Sequence, residues 1–451
     1  MKLIHWFSPL PPDRTDIGHF TSRILSELSQ RANLIVWTNT EDPSEALRQF
    51  ADLRLMPKGG VAPAELNAAD AVFYNLGNHG PFHAAILEQS WRVPGIVILH
   101  EADLHGLLAY TWVKRLNRGE RYIEEMAQIH GEAGRKAAVA RLAGEDASSI
   151  LASLPLLSSA LKNCLGVVCH SEMARCSATS MGVPALRTEL PFATSSAPRQ
   201  TVRSGPLRIV QFGYLNPYRR TLEILELLAK WPHRQAVRFD IYGQLWDEAL
   251  VQKRIQDLDL AGLVTIHGFA EESDLNNALA AADLALNLRY PTIGEASGSQ
   301  MRIWSVSVPS VVPAIGWFAE LPDDGVVKIS IAHETEELIT IFEVMLRDRY
   351  CFDDIGHRGR QILEKRHSPA SYADTLMHAV NDLPALRRRA GSLMAIEAAS
   401  RRVWGSGSVL PSPALGLGAL GDLCDLFVPR GTAQETPERA GGPKTSPVNN
   451  C

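Results

Sequence analysis

Asn287-Leu288-Arg289-Tyr290-Pro291-Thr292-Ile293-Gly294-Glu295-Ala296-Ser297-Gly298-Ser299-Gln300-Met301-Arg302 carries an apolar strand into a loop with two glycines and two serines, and that loop into a helix. Leu284-Ala285-Leu286 supplies the start of the strand. The helix is expected over 299–306, ahead of Val308-Pro309 and the next strand, Ser310-Val311-Val312. A strand, a helical crossover and a second apolar strand make the repeating unit of a parallel sheet. A helix N-terminus exposes unpaired N–H groups and partial positive charge. With Gly298 allowing close backbone approach, this loop suits a phosphate. Glu295 would sit beside it at the carboxyl edge of the sheet. The plainer alternative, a serine N-cap with Glu295 merely solvated, stays open on the residues alone.

Working outward, the same alternation fills residues 196–375. Leu207-Arg208-Ile209-Val210-Gln211-Phe212-Gly213 reads as a strand ending in glycine, followed by a helical pattern over 221–230. Further strands are expected at 239–243, 264–268 and 284–288, and Ser310-Val311-Val312 closes the series. Between Gly213 and the first helix stands the adjacent pair Arg219-Arg220. Guanidinium groups bind phosphate oxygens bidentately and stay charged at any working pH. The pair is thus a candidate diphosphate clamp, and a solvated basic turn is the alternative.

A polar linker, Ser195-Ser196-Ala197-Pro198-Arg199-Gln200, separates this unit from an earlier one over 1–195. Apolar strands are expected at 3–7, 34–37, 71–74, 96–99 and 165–169. Ile17, Phe20, Ile24 and Leu28 recur at helical spacing between the first two. Continuous apolar strands separated by helices imply a sheet covered on both faces. Residues of about 105–160 break the rhythm and read as a helical insertion. His100 closes the strand Ile96-Val97-Ile98-Leu99, where a histidine can bond into a cleft or exchange protons. His170-Ser171-Glu172 follows the strand at 165–169, with a helix-capping Ser171 as the alternative to a substrate contact. His100, Glu101, Asp103 and His105 lack the His-Glu-x-x-His spacing of a metal-binding helix, and no metal is expected. The fold class is α/β, with two parallel-sheet domains whose strand ends face a cleft.

The remaining chain and the composition bound the function. Residues 376–400 read as a helical return segment. Residues 401–451 hold 8 Gly, 6 Pro and 4 Ser and read as a low-complexity tail. The 451 residues carry 45 Lys+Arg against 50 Asp+Glu, a net charge of −5, which argues against a dedicated nucleic-acid binder. Six cysteines without a Cys-x-x-Cys pair suit a reducing compartment and no structural zinc. The N-terminus lacks a signal-type apolar run, and no stretch reaches the ~18 apolar residues of a membrane span. A cytoplasmic location is expected, with peripheral membrane contact left open. Gly-x-Ser-x-Gly, Walker and Gly-x-Gly-x-x-Gly patterns are all missing, which disfavours hydrolase, ATPase and dinucleotide-dehydrogenase readings.

Over residues 1–385, and most fully over 207–330, the sequence resembles the retaining glycosyltransferases of family four, which have the GT-B fold. The resemblance lies in the strand ending at Gly213 with its basic pair, Asn287-Leu288-Arg289, the Glu295 loop, Ser307-Val308-Pro309-Ser310-Val311-Val312 and Gly316-Trp317-Phe318-Ala319-Glu320-Leu321-Pro322. In the first half it lies in Ser8-Pro9-Leu10-Pro11-Pro12, His100 and His170-Ser171-Glu172. It implies transfer of a sugar from a nucleotide-sugar donor to a glycan, lipid-linked or small-molecule hydroxyl, with retained configuration and no cofactor or metal. By this similarity His100 and Glu295 are the catalytic residues. Gly213, Arg219, Arg220, Ser297, Gly298, Ser299 and Arg302 are donor-binding, and Asp16, Gly18 and His170 lie on the acceptor side. The sequence departs from the family at Arg302, which stands where a second glutamate is usual, and at Asp16, which stands for a glycine in Asp13-Arg14-Thr15-Asp16-Ile17-Gly18. A sugar-nucleotide epimerase or hydrolase of the same fold, or a catalytically silent binding protein, is the alternative. Oligomeric state leaves no mark in the sequence.

Overall fold

The computed structural model describes residues 1–145, 151, 153–195, 199 and 203–404, the last eleven as backbone only. Most of the expected tail therefore lies outside the described residues. Among the described residues thirteen strands form two sheets, parallel throughout. The first runs β3-β2-β1-β4-β5-β6-β7, with β1 Lys2–Phe7, β2 Ala32–Thr38, β3 Asp52–Leu55, β4 Ala71–Leu76, β5 Ile96–Leu99, β6 Gly166–Cys169 and β7 Ala185–Arg187. The second runs β10-β9-β8-β11-β12-β13, with β8 Leu207–Leu215, β9 Val237–Leu245, β10 Val264–Gly268, β11 Leu284–Leu286, β12 Ser310–Pro313 and β13 Val327–Ile329. This is the two-domain GT-B architecture.

Strand order decides where ligands can enter. In each sheet the order reverses beside its first strand, between β1 and β4 and between β8 and β11. The loops leaving two such strands turn to opposite faces and open a crevice at the carboxyl edge. The β8–β11 crevice receives Gly213, Arg219 and the 287–299 loop. The β1–β4 crevice receives the Pro9–Thr15 loop and Asn75.

Three edge strands escaped the sequence pattern. β3, β7 and β13 have only three or four residues each, and β7 has no fully buried position. They lie at or next to sheet edges, where less apolar surface needs covering, so no continuous apolar run marks them. The series thus ends at β13 rather than at Ser310-Val311-Val312. The helical excursion comprises His105–Ala109, a π turn over Tyr110–Arg115 and a long element, Gly119–Leu142, broken at Gly131.

The two domains share one core. Trp6, Phe20, Ile24 and Phe73 of the first are continuous with Met301, Trp304, Trp317 and Phe318 of the second and with Tyr372 and Leu376. The last two belong to the helix Pro369–Trp404, longer than the segment expected over 376–400. That helix runs back along the first domain. Arg31 Nε donates to Asp374 at 2.6 Å, and Arg389 Nη1 to the Gly182 carbonyl at 2.9 Å.

β8 and β9 pair over nine residues, Leu207 with Val237 through Leu215 with Leu245. Gly213 and Gly243 face each other there at φ 111° and 108°. A Cβ on Gly243 would lie 2.1 Å from the Gly213 carbonyl oxygen. No side chain fits at that contact, and the backbone conformation excludes one independently. Gly243→Ala is expected to lower the unfolding free energy by about 2 kcal/mol or more, read by urea denaturation.

Candidate active site

The second-domain half is built from polar side chains that hold one another. Gln211 on β8 is fully buried; its Nε2 donates to the Arg219 carbonyl at 2.7 Å, and its Oε1 accepts from Thr221 Oγ1 at 2.9 Å. This brace fixes the turn after β8 and sends the Arg219 side chain back over the sheet edge. Arg219 Nη1 donates to Asn287 Oδ1 at 3.0 Å and Nη2 to the Phe212 carbonyl at 2.9 Å. Asn287 is set in turn by Ser297 Oγ at 3.2 Å and Gln300 Oε1 at 3.0 Å, and Gln300 Nε2 reaches Ser310 Oγ at 2.7 Å.

Arg219 is 3% exposed. Among the described residues it pairs with no carboxylate, and its Nε–H finds no acceptor. Burial first, and then the charge of Arg289, push its pKa down to about 9, against smaller opposing pulls from Asp16 and Glu295. A guanidinium held this way is a preformed positive site with an unmet demand for an anion.

The Gly-Ser loop delivers the second part. Its helix spans Gly298–Ser305, with Ser297 as N-cap: Ser297 Oγ accepts from Gln300 N at 3.2 Å. Ser297 is thus occupied by capping and by Asn287. Gly298 faces open space, and Ser299 Oγ stands 3.5 Å from Arg219 Nη2. A Cβ on Gly213 would lie 3.5 Å from both Arg219 Nη2 and Ser299 Oγ, so this glycine keeps the gap between them clear.

Arg219 alone of the arginine pair meets that turn. Arg220 takes a left-handed conformation, φ 63°, which swings its side chain the other way. There it meets Glu334, with Nε–Oε2 3.2 Å, and Glu223, with Nη1–Oε1 2.7 Å. The expected two-arginine clamp is therefore corrected to a single buried arginine with a neutralised neighbour. Arg302 is likewise engaged, bonding Glu272 Oε1 and Asn276 Oδ1, each at 2.9 Å.

Glu295 is 6% exposed, and its carboxylate is fully committed. It pairs with Arg289, and Oε2 accepts from Ile293 N at 2.8 Å and from Thr292 Oγ1 at 3.2 Å. The first domain grips the same loop. Ala102 N donates to the Ile293 carbonyl at 2.8 Å, and Ser171 Oγ to the Gly294 carbonyl at 2.6 Å. Gly294 has φ 80°, and a Cβ there would lie 2.6 Å from Ala102 Cβ. The loops carrying His100, His170 and Glu295 thus meet at one seam.

On the first-domain side, His100 bonds Asn75 Oδ1 through Nε2 at 3.1 Å and packs edge-on against Phe20. His170 is buried, with Nε2 2.9 Å from the Tyr372 hydroxyl, and burial pushes its pKa down to about 3. Asp16 begins the helix Asp16–Ser29 and is exposed; Gly18 is buried against the Leu10 backbone. His105 turns to Tyr122 and the Leu154 carbonyl, away from His100. Asn75, Glu101, Asn287 and Arg289 join these residues. The sequence marks Glu101 only as a possible metal ligand and passes over Asn75. Asn287 and Arg289 stood in the opening segment, but no role was assigned to their side chains there.

No family model matches the chain, and no curated protein matches it in sequence. Solved structures share its fold. Anabaena HepE, in complex with UDP, has a TM-score of 0.57 at 14% identity, covering 85% of this chain and 100% of its own. WaaG, a glycosyltransferase involved in lipopolysaccharide biosynthesis, scores 0.55 at 14% identity, covering 82% and 99%. The sucrose-phosphate synthase of Thermosynechococcus elongatus scores 0.58 at 11% identity, covering 85% and 100%. At these identities the likeness is one of fold.

The seam carries a titration signature. Burial, followed by the charge of Glu295, raises Glu101 to about 7, against the opposing pull of Arg289. A carboxyl raised in the folded state binds more protons there than when unfolded, so stability falls as pH rises from about 4.5 to 7. Removing that charge should therefore help increasingly as pH rises through this window, and by a constant amount above it. Glu101→Gln is expected to match the wild type near pH 4.5 and to exceed it in urea midpoint at pH 8.

Proposed function

We propose that this protein is a nucleotide-sugar-dependent glycosyltransferase that retains anomeric configuration, with the donor diphosphate held by the second domain. The single observation carrying this reading is Arg219, a buried guanidinium that has no counter-ion among the described residues, at the β8–β11 crevice beside an open helix N-terminus. A leaving nucleoside diphosphate gathers negative charge as its bond to the sugar breaks. A preorganised cation and oriented N–H groups in a desolvated site stabilise that charge without reorganisation. Gly298 leaves room for the phosphate to reach the helix terminus, and Gly213 keeps Arg219 and Ser299 accessible from one side.

The loops that carry His100 and Glu295 meet at the seam, where the sugar of such a donor would sit. Glu295 is locked by Arg289 and the Ile293 N–H, so it acts as a fixed electrostatic and hydrogen-bonding wall rather than as a mobile base. The acceptor hydroxyl then passes its proton to the departing phosphate oxygen, and no protein nucleophile is required. The acceptor is a sugar or other hydroxyl approaching from the first-domain side, past Asp16 and His170. Anabaena HepE has been solved with UDP and with UDP-glucose, which makes UDP-sugars the first donors to test.

Isothermal titration with a panel of nucleoside diphosphates is expected to show saturable binding of one of them, lost in Arg219→Met. With the matching nucleotide sugar and an acceptor, Arg219→Met should lower kcat/KM by about 10²–10³-fold while the circular dichroism spectrum stays native. Absence of binding by every nucleoside diphosphate would overturn the reading.

A further inference from the structure

The position of the proton on His100 follows from a neighbour that does not face the cleft. Asn75 lies on β4, fully buried. Its Nδ2 donates to the Phe7 carbonyl of β1 at 2.9 Å. A carbonyl oxygen only accepts, so the amide cannot be turned over without setting Oδ1 against it. Asn75 Oδ1 is therefore the atom that faces His100 Nε2 at 3.1 Å. This oxygen also only accepts, so Nε2 must be the donor.

We propose that Asn75 is a positioning residue that fixes the His100 proton on Nε2 and leaves Nδ1 as a hydrogen-bond acceptor for a substrate O–H or N–H. Among the described residues Nδ1 has no partner, and it is not sealed from solvent. The surroundings keep the ring uncharged. Phe20 from the helix Asp16–Ser29, His170 after β6 and His83 from the helix Gly80–Arg92 face it, and among the described residues no carboxylate shifts it. Burial, reinforced by the two histidines, holds its pKa well below the ordinary imidazole value. His83 is itself pushed down to about 4, with its Nδ1 on the Asn75 carbonyl at 3.0 Å.

The inference rests on the proposed function for its consequence, and not for its geometry. If the cleft binds a donor sugar, the group facing His100 must be a hydrogen donor: a hydroxyl or an amide N–H. A sugar presenting only an acceptor there, such as a deoxyfluoro analogue, is rejected because two lone pairs would meet. It also removes His100 as a general acid, since a neutral ring with its proton spent on Asn75 has none to give.

Two-bond 1H–15N correlation spectra of the full chain labelled on histidine nitrogen test this, with His100→Gln used for assignment. The expected wild-type spectrum shows His100 as the neutral Nε2–H tautomer from pH 6 to 8. A wild-type Nδ1–H or protonated ring would overturn the inference, whether or not the protein transfers sugar. If the Nε2–H form is found and no nucleotide sugar is ever turned over, the function reading fails and this one stands. Asn75→Ala should lose the single tautomer and, with an active donor, about tenfold in kcat/KM. Asn75→Asp keeps the acceptor oxygen but adds a negative charge, which raises the ring's pKa. Its pH–rate profile should therefore gain an acid limb that the wild type lacks, with activity lost as pH falls and the ring charges. An Asn75→Asp profile identical to that of the wild type would count against the contact.

Discussion

A guanidinium taken out of water without a counter-ion is expensive, and the second domain is organised around keeping one. Arg219 reaches its place only because Gln211 braces the turn behind it and Asn287 accepts from it in front. Asn287 in turn needs Ser297 and Gln300, and Gln300 needs Ser310 on the next strand. The chain of bonds ties together three adjacent strands, β8, β11 and β12, from Gln211 within β8 to Ser310 at the start of β12. Such a network is costly when half satisfied and rigid when complete. Here, among the described residues, the Arg219 Nε–H is the guanidinium donor left without an acceptor.

The same logic separates the two arginines. A left-handed backbone at Arg220 reverses the direction of its side chain, and Glu334 and Glu223 then neutralise it. One arginine is desolvated and, among the described residues, has no carboxylate partner, and the next is half-buried and paired, one residue apart. Adjacency in sequence therefore says little about a shared role when a turn lies between.

The site is completed by a seam rather than by either domain. Backbone groups of Ala102 and a hydroxyl of Ser171 hold the Ile293–Gly294 carbonyls, while an apolar cluster runs from Trp6 through Trp304 to Tyr372. The long helix Pro369–Trp404 closes the joint by bonding both Arg31 and His170. Among the described residues no helix is long and apolar enough to cross a membrane.

Local pattern determined the architecture. Apolar runs at 3–7, 34–37, 71–74 and 96–99 are inner strands of a parallel sheet, because burial on both faces forces continuous apolar sequence. The glycine-serine loop announced a helix start, and Ser297 does cap it. What only the tertiary structure decided was which polar groups remain unpaired. Glu334, the partner of Arg220, and Glu272, that of Arg302, come from elsewhere in the chain, as do the Asn75 contact of His100 and the burial of Glu101. Partner choice across 30 or 100 residues depends on strand order and domain docking. Those are set by the summed packing of many side chains, and no short stretch of sequence encodes them.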